Sequence, residues 1–197
     1  MNPIWRFALR ALAWLAPCFA LWYLIAPWYD RPAAWLARML IDAWHDGLVD
    51  ALEIQPHLVT FVTSLDVHAQ GGVGRLLLEV NPLLYGFGAP LLAALLLASR
   101  APWTKLLLGL AALLPFQAWG IAFDFLAQIV RTGAGVSAQA GLLGWRTEFV
   151  ALAYQVGSLI FPALAPVALW VAFNRPLFGA LIGAPAPDMG HHAGTVR

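Results

Sequence analysis

The stretch from Asn81 to Arg100, NPLLYGFGAPLLAALLLASR, places the strongest constraint on how this chain folds. Asn81 and Pro82 are typical of a helix start, because asparagine caps free N–H groups and proline lacks the one that would stay unpaired. Eighteen residues without a charge separate Asn81 from Arg100. At about 1.5 Å per residue they nearly cross a hydrocarbon layer of about 30 Å. The stretch therefore predicts a membrane-spanning helix at about 83–99.

The composition agrees with a membrane location. Of 197 residues, 61% are hydrophobic and 11% are charged, which is too apolar for an ordinary soluble domain. The net charge of +1 gives no reason to expect a nucleic-acid partner. Several of the ten tryptophans lie at the ends of apolar runs, as interfacial anchors do: Trp5, Trp28, Trp103 and Trp145. The sequence predicts a mainly α-helical integral membrane protein, with lipid around it.

Four apolar runs predict four transmembrane helices, at about 7–28, 83–99, 106–130 and 148–173. The first run is interpreted either as an uncleaved span or as a signal peptide with a lipoprotein-like site at Cys18. It continues ten residues past Cys18, whereas a signal-peptide core has about 7–15 residues, which favours the uncleaved span. Pro162 and Pro166 predict kinks in the last helix.

Residues 33–80 are predicted to lie outside the membrane, as an amphipathic helix followed by a β-hairpin. From Ala33 to Leu52, leucine or tryptophan recurs at every fourth position and most charges fall opposite, a pattern typical of a helix that lies on a membrane. The Asp30-Arg31-Pro32 sequence is predicted to end the first span before this helix. Residues 57–65 and 75–80 follow as two strands around a glycine-rich turn at Asp66–Gly74.

The distribution of basic residues predicts that both termini are cytoplasmic. This orientation puts the following cations inside, close to the ends of the predicted spans: Arg6, Arg10, Arg100, Lys105, Arg175 and Arg197. It places 33–80 on the extracytoplasmic side. Residues 1–176 then form a single four-span domain, and 177–197 form a flexible cytoplasmic tail.

Motifs for catalysis and for metal binding are sparse. The sequence has no HExxH, GxSxG or P-loop, so no catalytic residue and no cofactor is predicted and a non-enzymatic role is favoured. His45 beside Asp42 and Asp46 is interpreted either as a metal cluster or as a solvated polar face. No further ligand follows at coordinating spacing, which favours the polar face. The pair His191-His192 falls in the predicted tail, and no metal site is predicted.

Polar residues of the predicted spans gather in the extracytoplasmic half of the membrane, when depth is counted at about 1.5 Å per residue. The set comprises Asn81, Tyr85, Gln117, Asp124, Gln128, Tyr154, Gln155 and Ser158. Such groups are costly in hydrocarbon unless they are paired. They are interpreted either as polar residues that join helices by hydrogen bonds or as the lining of a binding cleft open to the outside. Close helix packing is expected at four glycines, Gly86, Gly88, Gly120 and Gly157.

Four segments together resemble a known family. They are RFALRALAWLAPCFALWY (6–23), EVNPLLYGFGAPLLAALLLAS (79–99), LLPFQAWG (113–120) and YQVGSLIFPALAPVALW (154–170). The combination resembles the exosortase H-associated membrane proteins, small proteins of the bacterial inner membrane found beside an exosortase. An exosortase is a membrane transpeptidase that processes proteins carrying a C-terminal sorting signal. The resemblance covers most of 6–176 and implies an inner-membrane location, but the family has no assigned activity or catalytic residues to carry over.

Two functions follow as hypotheses. The first is a non-catalytic accessory protein of an exosortase-type sorting system, which binds the enzyme or a sorted protein substrate through its extracytoplasmic face. The second is a small-molecule or lipid-handling membrane protein, a transporter subunit or an enzyme, that uses an outward polar cleft around Gln117, Asp124, Tyr154 and Gln155. Four spans without an inverted repeat disfavour a complete transporter.

Overall fold

The computed structural model describes residues 3–69 and 72–182. The described part is mainly helical and contains one small three-stranded antiparallel sheet. Its helices are α1 (Pro3–Trp44), α2 (Leu83–Gly86), α3 (Gly88–Ala98), α4 (Trp103–Thr132), α5 (Ala134–Gln139), α6 (Trp145–Gln155), α7 (Phe161–Phe173) and α8 (Arg175–Ile182), with a π-helical segment (Val156–Ile160) between α6 and α7. The strands are β1 (Val49–Gln55), β2 (Leu58–Ala69) and β3 (Gly72–Val80).

The first helix is longer than the sequence predicts. Helix α1 continues for 42 residues with Pro17, Pro27 and Pro32 inside it, so the prediction that a separate helix starts after Asp30-Arg31-Pro32 is wrong. A stripe of fully buried residues follows Pro32, comprising Ala33, Ala34, Ala37 and Ile41. These residues lie in the main hydrophobic core. Packing of this stripe keeps the chain helical, because tertiary context overrides local propensity.

The predicted amphipathic helix at 33–52 is also wrong in its second half. Helix α1 ends at Trp44, Gly47 adopts a left-handed φ of 72°, and β1 then begins at Val49. The sheet has the order β1-β2-β3. The predicted pairing of 57–65 with 75–80 is confirmed as part of the β2–β3 ladder, where Phe61 lies opposite Leu78. Both strands extend into the predicted turn, since Asp66 pairs with Arg75.

A two-residue turn, Pro56-His57, joins β1 to β2 and attaches the sheet to α1. His57 has a φ of 63°, in the left-handed region that residues with a Cβ seldom occupy. Its ring stacks on Tyr23 of α1, with centroids 4.6 Å apart. Strand β1 therefore runs back along the second half of α1, and the turn reaches the same helix about two turns before Asp30.

Among the described residues, three segments are long and apolar enough to cross a membrane: Ile4–Trp44, Trp103–Thr132 and Trp145–Phe173. The segment Leu83–Ala98 is a shorter apolar helix that is interrupted at Phe87, between α2 and α3. The predicted count of four spans therefore stays a prediction. The π-helical segment ends directly before Phe161, which Pro162 follows. In a regular α-helix the ring of Pro162 would clash with the carbonyl four residues earlier, and the wider π-turn avoids this clash.

The described part has two hydrophobic cores. One lies between the second half of α1, the inner face of the sheet and the second half of α4, where Phe61 contacts Phe125 at 4.8 Å between centroids. The other lies between the first half of α1 and the helices α3, α4 and α7. Helix α8 extends this second core through Phe178, whose ring is 6.2 Å from that of Trp170. It occupies 175–182, where the predicted tail begins; His191-His192 lies outside the described residues.

Arg100 occupies a backbone position that normally belongs to glycine. The N–H of Ala101 donates to Leu96 O at 2.9 Å and that of Arg100 to Leu97 O at 3.0 Å, which are the two bonds of a Schellman cap. Arg100 has a φ of 55°. We expect Arg100→Gly to raise the free energy of unfolding by about 1 kcal/mol, because it removes left-handed strain at an exposed residue.

Thermal denaturation in detergent measures this effect against Arg10→Gly. Arg10 lies inside α1, where glycine is expected to lower the free energy of unfolding by about 1 kcal/mol. The two arginine-to-glycine substitutions are therefore expected to change the free energy of unfolding in opposite directions. A lower melting temperature for Arg100→Gly would contradict the interpretation of the cap.

Candidate functional site

Asp124 on α4 is the centre of the first polar cluster. The residue is buried, and its carboxylate accepts a hydrogen bond from Arg131 Nη2, at 3.4 Å from Oδ1. The side chains of Tyr85 and Gln128 lie close to this carboxylate, and Tyr85 lies close to Tyr154 in turn. The structure thus brings three other residues of the predicted patch, from α2, α4 and α6, around the Asp124 carboxylate.

Arg131 completes this cluster, although the predicted patch did not include it. Its guanidinium carbon lies 5.5 Å from the centroid of the Tyr154 ring, a cation–π arrangement. The signal was present in the sequence, because Arg131 is seven residues after Asp124 and therefore on the same face of a helix. The predicted third span ends at 130, so the prediction left Arg131 in the loop that follows.

Gln117 forms a second, more deeply buried cluster with Asp30, a residue that was predicted to lie at the end of the first span. Gln117 Nε2 donates to Asp30 Oδ1 at 2.7 Å and to Pro82 O at 3.4 Å. Asp30 and Gln117 are each 2% exposed. This hydrogen bond links α1 to α4 across 87 positions of sequence, and both residues lie where the two hydrophobic cores meet.

Unpartnered polar atoms concentrate around this second cluster. Among the described residues, five buried side-chain polar atoms lack a hydrogen-bond partner: Trp22 Nε1, Asp30 Oδ2, Trp44 Nε1, His57 Nδ1 and Gln117 Oε1. Asp30 and Gln117 are bonded to each other, and His57 is close enough to Asp30 to interact with its carboxylate electrostatically. A cavity of about 10 Å³ lies beside Gln117, which is close to the space one water molecule needs.

The expected close packing at glycines is confirmed. A Cβ on Gly120 would lie 2.6 Å from Tyr85 Cγ, and one on Gly157 would lie 3.0 Å from Gly120 Cα. A Cβ on Gly86 would lie 2.8 Å from Gln117 Nε2, and one on Gly88 would lie 2.9 Å from Pro162 O. The glycines therefore let α2, α3, α4 and the π-helical segment approach closely enough to hold both polar clusters.

The remaining predicted residues lie apart from these clusters. Asn81 Oδ1 accepts from the N–H of Leu83 at 3.0 Å, as a helix-start residue does. Ser158 donates to Tyr154 O of its own helix at 2.8 Å. Gln155 is exposed. The eight residues thus form two clusters and three separate positions rather than one cleft.

Residues 1–177 of the chain match the family described as exosortase H-associated membrane protein. The chain belongs to this family. The match confirms the resemblance drawn from the sequence, and the family name states an association with an exosortase. No curated protein and no solved structure matches the chain.

A cleft on this exosortase H-associated protein opens between α4 and α6, next to the Asp124 cluster. Its volume is about 210 Å³. It is lined by Ala127, Val130, Arg131, Thr147, Val150, Ala151, Tyr154 and Gln155. Gln117 and Asp124 do not line it, so it is smaller and more apolar than the predicted polar cleft.

The residues that resembled a metal cluster have other partners. Asp42 pairs with Arg38 at 3.6 Å, and His45 Nδ1 lies 3.2 Å from Asp46 O. Within 3–69 and 72–182, no group of three or more His, Cys, Asp and Glu residues is arranged to hold a metal ion. These contacts are those of a charged surface on the last turns of α1.

Proposed function

We propose that this protein is a non-catalytic accessory component of an exosortase-type C-terminal protein-sorting system. In this proposal it crosses the bacterial inner membrane four times, with both termini in the cytoplasm and 33–80 outside. Its partner is the exosortase or a sorted protein substrate. The single observation that carries the proposal is membership of the exosortase H-associated family over residues 1–177.

The outward face of the sheet is the proposed contact surface. Across the three strands, Ala51, Val62 and Leu77 are in register, as are Glu53, Thr60 and Glu79. Alternate residues of β3 point to opposite faces, and Leu78 and Val80 are buried. The outward face therefore presents Leu77, which is 60% exposed, together with two carboxylates, those of Glu53 and Glu79.

The sheet is held firmly enough to serve as such a platform. Its inner face contributes Val59, Phe61 and Val80 to the main core, each 0% exposed. Gln128 Nε2 of α4 donates to Glu79 O at 3.0 Å, and Arg38 Nη2 of α1 donates to Val49 O at 3.2 Å. Both outer strands are thus tied to long helices, and a rigid surface loses less entropy on binding a partner.

Co-purification with the exosortase of the same cell in mild detergent tests the proposal. We expect the wild-type protein to retain the exosortase and Leu77→Arg to reduce the recovered enzyme about tenfold, because the change puts a charge at an apolar contact. Ala138→Arg is the matched control, since Ala138 is exposed on α5 and belongs to neither register row of this face.

Two outcomes would count against the proposal in different ways. Equal recovery with Leu77→Arg and Ala138→Arg would reject the sheet face as the contact surface. Failure of the wild-type protein to retain either the exosortase or a sorted substrate would reject the accessory role itself.

A further inference from the structure

We propose that the cleft between α4 and α6 is a phospholipid site, in which the guanidinium of Arg131 binds the phosphate and the apolar walls hold the start of an acyl chain. This inference goes beyond the proposed accessory function and does not depend on it. It rests on the lining of the cleft, the free donors of Arg131 and the position of the cleft along the membrane-crossing helices.

The walls of the cleft are apolar. Ala127 and Val130 of α4 face Val150 and Ala151 of α6. A cleft of about 210 Å³ with such walls favours hydrocarbon over water, because water in it would find few hydrogen-bond partners. The polar groups of the lining are Arg131, Thr147, Tyr154 and Gln155.

Arg131 brings a cation with free donors to this cleft. Its side chain is 59% exposed, and in the described part of the chain it makes one hydrogen bond, to Asp124. A guanidinium has five N–H donors, so most of them remain available to an oxyanion. Phosphate oxygens suit this planar group, which can bind them in pairs.

Asp124 holds the guanidinium in place and does not occupy the cleft. The Asp124 side chain is 11% exposed, against 59% for Arg131, and the side chains of Tyr85 and Gln128 lie close to it on the inner side. The Tyr154 ring supports the guanidinium from a second side, at 5.5 Å. Arg131 is thus positioned from within the protein while its outer edge stays open.

The cleft lies at the level where lipid headgroups are expected. Trp145, the first residue of the span Trp145–Phe173, is 70% exposed, and exposed tryptophans at the ends of spans mark the membrane interface. The lining residues of α6 follow it within about 15 Å along the helix. Leu152 on the same helix is 60% exposed, as a side chain that faces acyl chains is. A phosphate at Arg131 therefore lies at the interface, with hydrocarbon below it.

The test uses the full chain, purified in mild detergent, delipidated and titrated with dioleoyl phosphatidylglycerol, with bound lipid counted by native mass spectrometry. We expect one lipid per wild-type chain. Arg131→Gln is expected to weaken binding about tenfold, and Arg131→Lys less, because lysine keeps the charge but not the planar fork. Ala151→Phe is expected to abolish binding by filling the cleft while leaving all charges in place.

Controls separate this site from general lipid adhesion. Arg75→Gln removes an exposed arginine of the sheet, which pairs with Asp50, and is expected to bind lipid like the wild type. Dioleoylglycerol, which has no phosphate, is expected to bind about tenfold more weakly than the phospholipid. The melting temperature of each variant shows whether it is folded.

The proposal is overturned if folded Arg131→Gln binds the phospholipid as the wild type does. It is equally overturned if Arg75→Gln loses as much binding as Arg131→Gln, or if dioleoylglycerol binds as tightly as the phospholipid. Retention of a peptide or protein at the cleft, displaced by Ala151→Phe while phospholipid binding is unchanged, would assign the cleft to a different occupant.

Discussion

Replacement of Gly120 by leucine is expected to abolish the recovery of folded protein. A Cβ at this position would lie 2.6 Å from Tyr85 Cγ and 2.9 Å from Tyr85 Cβ, and leucine adds three further carbons. Tyr85 is 4% exposed, and Gly157 of the π-helical segment approaches the same glycine, Gly120. Overpacking of this kind costs about 3 kcal/mol or more, a large part of the stability of a small protein.

Fluorescence-detected size-exclusion chromatography before and after heating measures this loss. Gly120→Ala is expected to fold with a lower melting temperature, since a single methyl group already makes the same contact. Gly135→Leu is the matched control, because nothing lies within 4 Å of a Cβ at Gly135. A Gly120→Leu protein that melts like the wild type would show that α2 and α4 do not pack as described.

Replacement of Gln117 by leucine is expected to lower the free energy of unfolding by about 3 kcal/mol, because it leaves a buried acid without its donor. Gln117 Nε2 supplies the hydrogen bond to Asp30 in the described part of the chain. The Asp30 side chain is shielded from water, so no solvent replaces the lost bond.

A double-mutant cycle tests whether the loss comes from the orphaned acid. Asp30→Leu combined with Gln117→Leu is expected to be more stable than Gln117→Leu alone, since replacing both partners by apolar groups of similar shape is nearly neutral. Gln155→Leu serves as the control, because Gln155 is an exposed glutamine of a segment long and apolar enough to cross a membrane. Additive effects of the two core changes would mean that Asp30 and Gln117 do not depend on each other.

Both substitutions are expected to destabilise the junction between the two hydrophobic cores. Gly120 and Gln117 lie one turn apart on α4, between the core that holds the sheet and the core formed by the apolar helices. Damage there is expected to displace the sheet relative to the long apolar helices. Variants of the junction are therefore unsuitable for testing the contact with an exosortase, and surface variants such as Leu77→Arg are needed.

Much of the fold follows from short-range patterns in the sequence. Long apolar runs predicted the helices later found at Trp103–Thr132 and Trp145–Phe173, since hydrocarbon length sets the run length. Alternation of apolar and polar residues predicted the pairing of β2 with β3. Glycines among apolar residues predicted the close contacts at Gly120 and Gly157. Each of these signals is local, because a run, an alternation or a residue type is recognised without knowing its distant partner.

The composition of the candidate site could be predicted only in part. Tyr85, Asp124, Gln128 and Tyr154 were expected in one polar patch and lie around one carboxylate. Arg131 and Asp30 were missed, because a charge near the end of a predicted helix was interpreted as marking that end. Polarity alone does not distinguish a residue that faces water from one that finds a partner on another helix.

By itself the sequence determined that this chain belongs in a membrane, with two long apolar helices and a hairpin, because hydrophobic length and periodicity are local properties. The tertiary structure decided that α1 continues through Pro32, that 49–55 forms a third strand, and that Asp30 is buried against Gln117. The physical reason is the same for each. A buried alanine stripe, a paired strand and a shared hydrogen bond gain their free energy from partners far along the chain, and that gain exceeds the local preference of Asp30-Arg31-Pro32 to end a helix.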